Sequence, residues 1–241
     1  MFKNDKSNTV GRKNLINREV WLKKTLEKLP RGSTILDAGA GETQYKKFCQ
    51  HLKYTSQDFG EYDGQGDEVG LQTKEWDNSK LDIVSDIINI PVEDNSFDNI
   101  MCIEVFEHLI EPYKAITEFS RILKLGGYLV LTAPICSLTH FAPHYYANGF
   151  SKYWYRKVLE DHGFEIKELE YNGNYFEYVA QEIRRIPSVQ NKYTKKRLTN
   201  NLKYKFSRNH ILKVLDELSK NNQNSEELLA FGIQVVAKKI K

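Results

Sequence analysis

The chain has 241 residues, 40% of them hydrophobic, which is enough for one large α/β domain or a domain with an appendage and excludes a disordered chain. Its net charge of +3 is too small to imply a nucleic-acid partner by itself. The charged start, MFKNDKSNTVGRKN, holds no apolar leader, and nowhere do about 18 apolar residues run together, so a soluble, cytoplasmic protein with no membrane span is expected.

Leu15, Ile16, Trp21, Leu22, Leu26 and Leu29 fall at helical spacing and predict a lead-in helix over 15–29, ended by the PRGS at 30–33. Then follow a strand at 34–38, a helix near 43–52, a strand at 53–58, a polar connection, strands near 82–85 and at 97–103, a helix at 111–124 and a strand at 127–133. Beyond these stand a helix at 152–162, closed by Gly163, a strand at 164–170, and a last strand in AFGIQVVAKK, 230–239. Alternating strands and helices describe an α/β, doubly wound, mostly parallel seven-stranded sheet. About 60 residues are inserted before the last strand: a helix at 175–186 stopped by Pro187, a basic stretch, and an amphipathic helix at 209–220 with Ile211, Leu212, Leu215 and Leu218 on one side. The expected organisation is a helical lead-in at 1–32, a core at 33–171, a helical, basic insertion at 172–229 and a final core strand at 230–241.

The first strand hands over to TILDAGAGETQY, 34–45, where Gly39 and Gly41 favour a tight turn whose N–H groups face a ligand. A dinucleotide turn needs a third glycine, but Gln44 stands in its place. Asp37, just before the glycines, suits a cationic ligand group better than a pyrophosphate. Asp58 ends the second strand, where a carboxylate accepts ribose hydroxyls. Asp86, in LDIVSDIINIP, follows the third strand, and SFDNIMCIEVFEHL, 96–109, carries Glu104, Glu107 and His108 out of the fourth.

In this order, ILDAGAG, Asp58, SDI, SFDNIMCIEVFEHL and EFSRILKLGGYLVLTAP resemble the class I S-adenosylmethionine-dependent methyltransferases, especially the type 11 group. That group's last motif usually reads L-K-P-G-G, and Leu125 stands here for the proline. The resemblance covers 33–135, and more loosely the last two strands. It implies a Rossmann-like fold and S-adenosyl-L-methionine as cofactor, with Asp37, Gly39, Ala40 and Gly41 around the methionine moiety, Asp58 at the ribose, Asp86 and Ile87 at the adenine, and Cys102 near the sulfonium.

A hydroxyl acceptor needs its proton removed, which suits histidine near neutral pH. The stretch APICSLTHFAPHYYANGFSKYWYRK, 133–157, offers His140 and His144 as general-base candidates, with Tyr145, Tyr146, Glu104 and His108 as acceptor contacts. Phe150, Tyr153, Trp154 and Val158 read instead as the core stripe of the next helix. No tight ligand motif links Glu104, His108, His140 and His144, so no metal is expected. Cys49, Cys102 and Cys136, odd in number and far apart, fit neither a disulfide framework nor a cysteine zinc site.

From Asn191 to Asn209 the chain carries seven Lys or Arg and no acidic residue, interleaved with Tyr193, Tyr204 and Phe206. Such a run binds a phosphate backbone, attracts another anion, or is a solvated face. Three functions remain open. The favoured one is methyl transfer to a small-molecule or sugar-type acceptor, as in bacterial surface-polysaccharide or secondary-metabolite pathways that the resemblance implies. The others are a nucleic-acid (RNA) methyltransferase and a non-catalytic S-adenosylmethionine-binding protein.

Overall fold

The computed structural model describes residues 8–241; residues 1–7 of the expected lead-in lie outside the described part. Seven strands, β1 (Thr34–Ala38), β2 (Lys53–Asp58), β3 (Ile83–Val84), β4 (Phe97–Ile103), β5 (Leu123–Pro134), β6 (Phe164–Asn172) and β7 (Gly232–Lys239), form one sheet in the order β3-β2-β1-β4-β5-β7-β6. The pairs β3–β2, β2–β1, β1–β4 and β4–β5 are parallel. β7 runs antiparallel to β5, from Tyr128↔Lys238 to Pro134↔Gly232, so the Rossmann-like sheet is mixed rather than wholly parallel. Because β1 is flanked by both β2 and β4, the strand order reverses there, and the crevice beyond the carboxyl ends of these strands is the natural ligand position.

The helices are α1 (Asn14–Leu26), α2 (Pro112–Ile122), α3 (Lys152–Asp161), α4 (Tyr175–Tyr193) and α5 (Leu202–Lys220). The helix expected near 43–52 is only one turn at Lys46–Phe48. Gly41 and Thr43 both take positive φ, 49° and 59°, which bends the chain instead of propagating a helix. Pro187 does not stop α4, which continues to Tyr193; proline deprives the Ile183 carbonyl of its partner, yet packing of the flanking turns keeps the helix going.

The chain divides into two compact units. The larger holds Val20–Glu170 with Gly232–Lys241, and the smaller joins the described residues up to Glu19 to Tyr171–Phe231. The division between the two units falls within α1. The reason is burial: Leu22 and Leu26 pack with Ile35, Met101 and Val130 in the larger unit. Val10 packs with Ala180, Leu212 and Leu215 in the smaller one, where Gly11 also donates to the Glu177 carboxylate. Within the smaller unit the basic residues of 191–209 are mostly exposed, with Lys192 over the Tyr193 ring and Arg208 over Tyr204. Among the described residues no helix is long and apolar enough to cross a membrane.

Candidate active site

The larger unit brings the carboxyl ends of β1, β2, β4 and β5 to one edge. Asp37 is 1% exposed, and its side chain accepts a 2.6 Å hydrogen bond from the Tyr54 hydroxyl. Burial raises its pKa to about 7; the Tyr54 bond pulls the other way and the nearby Asp58 charge adds to the rise. Among the described residues no cation pairs with Asp37. A buried carboxylate without a counter-charge, next to a second carboxylate, is a place where a cationic ligand group is stabilised.

The turn after β1 differs from the expected ligand cradle. Gly39 and Ala40 both donate to the Gln57 carbonyl, at 2.9 and 2.8 Å, and Gly41 donates to Asp58 Oδ2 at 2.9 Å. These N–H groups hold the turn against β2 rather than facing a ligand. The glycines are needed for close approach: a Cβ on Gly39 would stand 2.4 Å from Val105, and one on Gly41 2.5 Å from Trp76. Asp58 also accepts from Gly60, so each of its oxygens keeps one further acceptor site for a ribose hydroxyl.

Ile87 is buried, but Asp86 is exposed and caps its own turn by accepting from Ile88. Cys102 is fully enclosed in β4, so it offers a sulfonium no surface in this conformation; burial, then the charges of Asp37, Glu107 and Asp58, pushes its thiol pKa well up.

Past β4 the chain turns sharply. Glu104 sits at φ 59°, a region uncommon for a non-glycine residue, and its side chain accepts from Thr132 at 2.9 Å. The following turn, Phe106–His108, buries Glu107 and directs His108 Nδ1 at the His144 carbonyl, 2.6 Å away. His140 Nδ1 faces the Leu138 carbonyl at 2.8 Å, while its Nε2 lies 3.6 Å from Glu107 Oε1. Both ring nitrogens of His140 thus face oxygen atoms of the protein. Burial alone would lower the His140 pKa, but Glu107, the Leu138 carbonyl and the Glu104 charge together hold it above the usual range. Burial lowers that of His108, against the opposing pull of Glu107.

His144 packs its ring edge-on against Phe59, the residue after Asp58, at 5.0 Å. The two tyrosines expected at the acceptor differ in their surroundings. Tyr145 donates its hydroxyl to the Ser137 carbonyl at 2.7 Å, and Tyr146 is half exposed. On α3 the core residue is Tyr155, fully buried beside Phe106, whereas Tyr153 points to solvent; Phe150 and Trp154 do pack together, with ring centroids 4.5 Å apart and tilted by 31°.

Sequence reasoning passed over the connection 59–82 as merely polar. In the structure it pairs with the loop after β5: Leu71 donates to Thr139, Phe141 to Leu71 and Asp67 to Ala142. The rings of Tyr62, Trp76 and Phe141 cluster there, with centroids 4.5–5.5 Å apart. The run of aromatics at Phe59, Tyr62 and Trp76 was the available signal.

Residues 36–131 match the model of a methyltransferase domain. That segment is a methyltransferase domain. S-adenosylmethionine, the cofactor that such a domain implies, fits the uncompensated Asp37 and the spare acceptor sites of Asp58. A tRNA (carboxymethyluridine(34)-5-O)-methyltransferase of Arabidopsis thaliana is 30% identical over 115 residues, 44% of this chain and 25% of that one. The chain matches no more than about a quarter of the length of such curated relatives. Among solved structures, an S-adenosylmethionine-dependent methyltransferase from Archaeoglobus fulgidus superposes with a TM-score of 0.56 at 16% identity, covering 92% of this chain and 93% of that one. The cyclase SpnF does so equally well, with a TM-score of 0.56 at 17% identity over 99% of this chain and 85% of its own. At these identities the likeness concerns the fold, and the same fold serves a cyclase.

Proposed function

We propose that the chain methylates an oxygen of a small, hydroxyl-bearing acceptor of sugar type. The observation that carries this reading is the joined pair of loops, 59–82 and 135–150, which places aromatic rings and histidines at the carboxyl edge of the sheet. Aromatic rings and histidines beside the cofactor residues suit a small polar molecule.

Bound S-adenosylmethionine would supply the methyl group, carried on a positively charged sulfur that would leave with the electron pair of the carbon–sulfur bond as a neutral thioether. The chain's own work is to hold the partners and move one proton. Asp37 receives the cationic amino acid end and Asp58 the ribose. His144 takes the hydroxyl proton, since the Nε2 atoms of His108 and His140 both face Glu107. Alignment of the two reactants is the larger contribution, worth roughly 7–11 kcal/mol in favourable cases.

A second reading, methyl transfer to RNA, is supported by the Arabidopsis tRNA methyltransferase similarity and by the exposed basic residues of 191–209. Purified chain with methyl-labelled cofactor and a cell extract split into small-molecule and RNA fractions separates the two. Label in the small-molecule fraction supports the first reading. Label confined to RNA, with affinity falling steeply as salt rises, supports the second.

A further inference from the structure

The pair His108 and His140 meets Glu107 in an arrangement that hydrogen bonding among protein groups does not complete. A backbone carbonyl only accepts, so both histidines carry hydrogen on Nδ1, and in the neutral rings each Nε2 is a bare lone pair. These two lone pairs point at a carboxylate: Glu107 Oε1 lies 3.8 Å from His108 Nε2 and 3.6 Å from His140 Nε2. Glu107 is 2% exposed, and both its Oε2 and His108 Nε2 are buried without a hydrogen-bond partner. Three acceptors facing one another in a buried place repel; a shared cation reverses the sign of every contact.

Protonation of His140 is the rival solution. It would satisfy Glu107 Oε1 but leave Oε2 and His108 Nε2 orphaned. A metal ion uses all three residues. Their donor atoms lie within 4.8 Å of one another. Donors about 2.0–2.2 Å from a tetrahedral zinc ion are roughly 3.3–3.5 Å apart, so the two Glu107 pairs already stand near that spacing, and the widest pair closes by at most about 1.5 Å through side-chain rotation. The carbonyls on Nδ1 are the supports that metal-binding histidines use to fix tautomer and ring orientation. Two imidazoles and one carboxylate suit a divalent first-row transition ion better than magnesium or calcium, which favour all-oxygen sites.

We propose that Glu107, His108 and His140 bind one such ion, as zinc, cobalt or manganese, at the carboxyl end of β4. Three protein donors leave at least one coordination position for an oxygen. Resting on the proposed function, that oxygen belongs to the acceptor hydroxyl, whose acidity the ion raises before His144 takes its proton. The absence of a sequence signal has a simple cause: Glu107 and His108 are adjacent, and His140 arrives 32 residues later on the loop after β5.

The test is a titration of the chelator-treated full chain with cobalt chloride, without cofactor or acceptor, followed by visible d–d absorption and by calorimetry. One equivalent should bind, with an absorption band that zinc chloride displaces. Glu107→Gln and His140→Asn should each weaken binding at least 100-fold while their metal-free far-ultraviolet dichroism matches wild type. A thermal melt provides a second reading: added zinc should raise the wild-type midpoint and leave both variants unmoved. Silent cobalt spectra in the wild type, or binding unchanged in both variants, would overturn the proposal. Stoichiometric, variant-sensitive metal binding with no methyl transfer to any acceptor would uphold the ion and fail the proposed function instead.

Discussion

Asp37→Asn separates two consequences of burying a carboxylate at the end of β1. In the folded chain its pKa rises from 3.8 to about 7, through burial first and the Asp58 charge in addition, against the Tyr54 hydrogen bond. About three units correspond to roughly 4 kcal/mol between the protonated and ionised forms. Since the folded value lies above the unfolded one, the native state holds a proton that the unfolded chain has released. The resulting stability is fully present below about pH 4, declines as pH rises, and is gone above about pH 7. Asparagine carries no charge, and its amide oxygen still accepts from Tyr54. Urea unfolding of cofactor-free protein at a series of pH values should therefore show the variant gaining on wild type from about pH 4 to 7, by up to roughly 4 kcal/mol. A cationic cofactor should drive the proton off Asp37. Calorimetry near pH 7 in two buffers of different ionisation enthalpy should then detect proton release by wild type, none by the variant, and weaker binding by the variant. A stability difference flat in pH, or wild-type binding with no proton released, would refute the reasoning.

Gly41→Val puts a branched side chain at φ 49° and a Cβ 2.5 Å from Trp76, so calorimetry should find cofactor binding abolished. Asp58→Asn should weaken that binding by about 1–3 kcal/mol, the worth of charge-assisted hydrogen bonds to the ribose. His144→Asn should slow methyl transfer to a hydroxyl acceptor by about 10²–10⁴-fold with cofactor affinity unchanged, measured as S-adenosylhomocysteine release under saturating substrate. Phe119→Ala, at a fully buried position of α2, should cost about 3–5 kcal/mol in urea unfolding without altering the other sites.

The strands were the most legible part of the sequence. β1 and β4 lie at the residues their apolar runs indicate, because each is buried in the sheet interior and little else explains ILDA or NIMCI. The connection after β1 forms only one helical turn where 43–52 predicts a helix, because the positive φ of Thr43 leaves no mark in a sequence. Pro187 misled in the opposite direction, since a local breaker rule cannot weigh the packing that carries α4 past it. Within the site, residues at strand ends were readable: Asp37 and Asp58 sit where the topology demands. Which way a side chain turns was not. Tyr145 folds back on Ser137, and His140 turns to Glu107, because loop hydrogen bonds made between distant segments decide both.

The most direct measurement of the central claim is calorimetric titration of the full chain with S-adenosylmethionine, in wild type and in Asp58→Ala. The account predicts one molecule bound per chain, competed by S-adenosylhomocysteine, with binding lost or greatly weakened in the variant. No binding by wild type, or equal affinity in the two proteins, would contradict it.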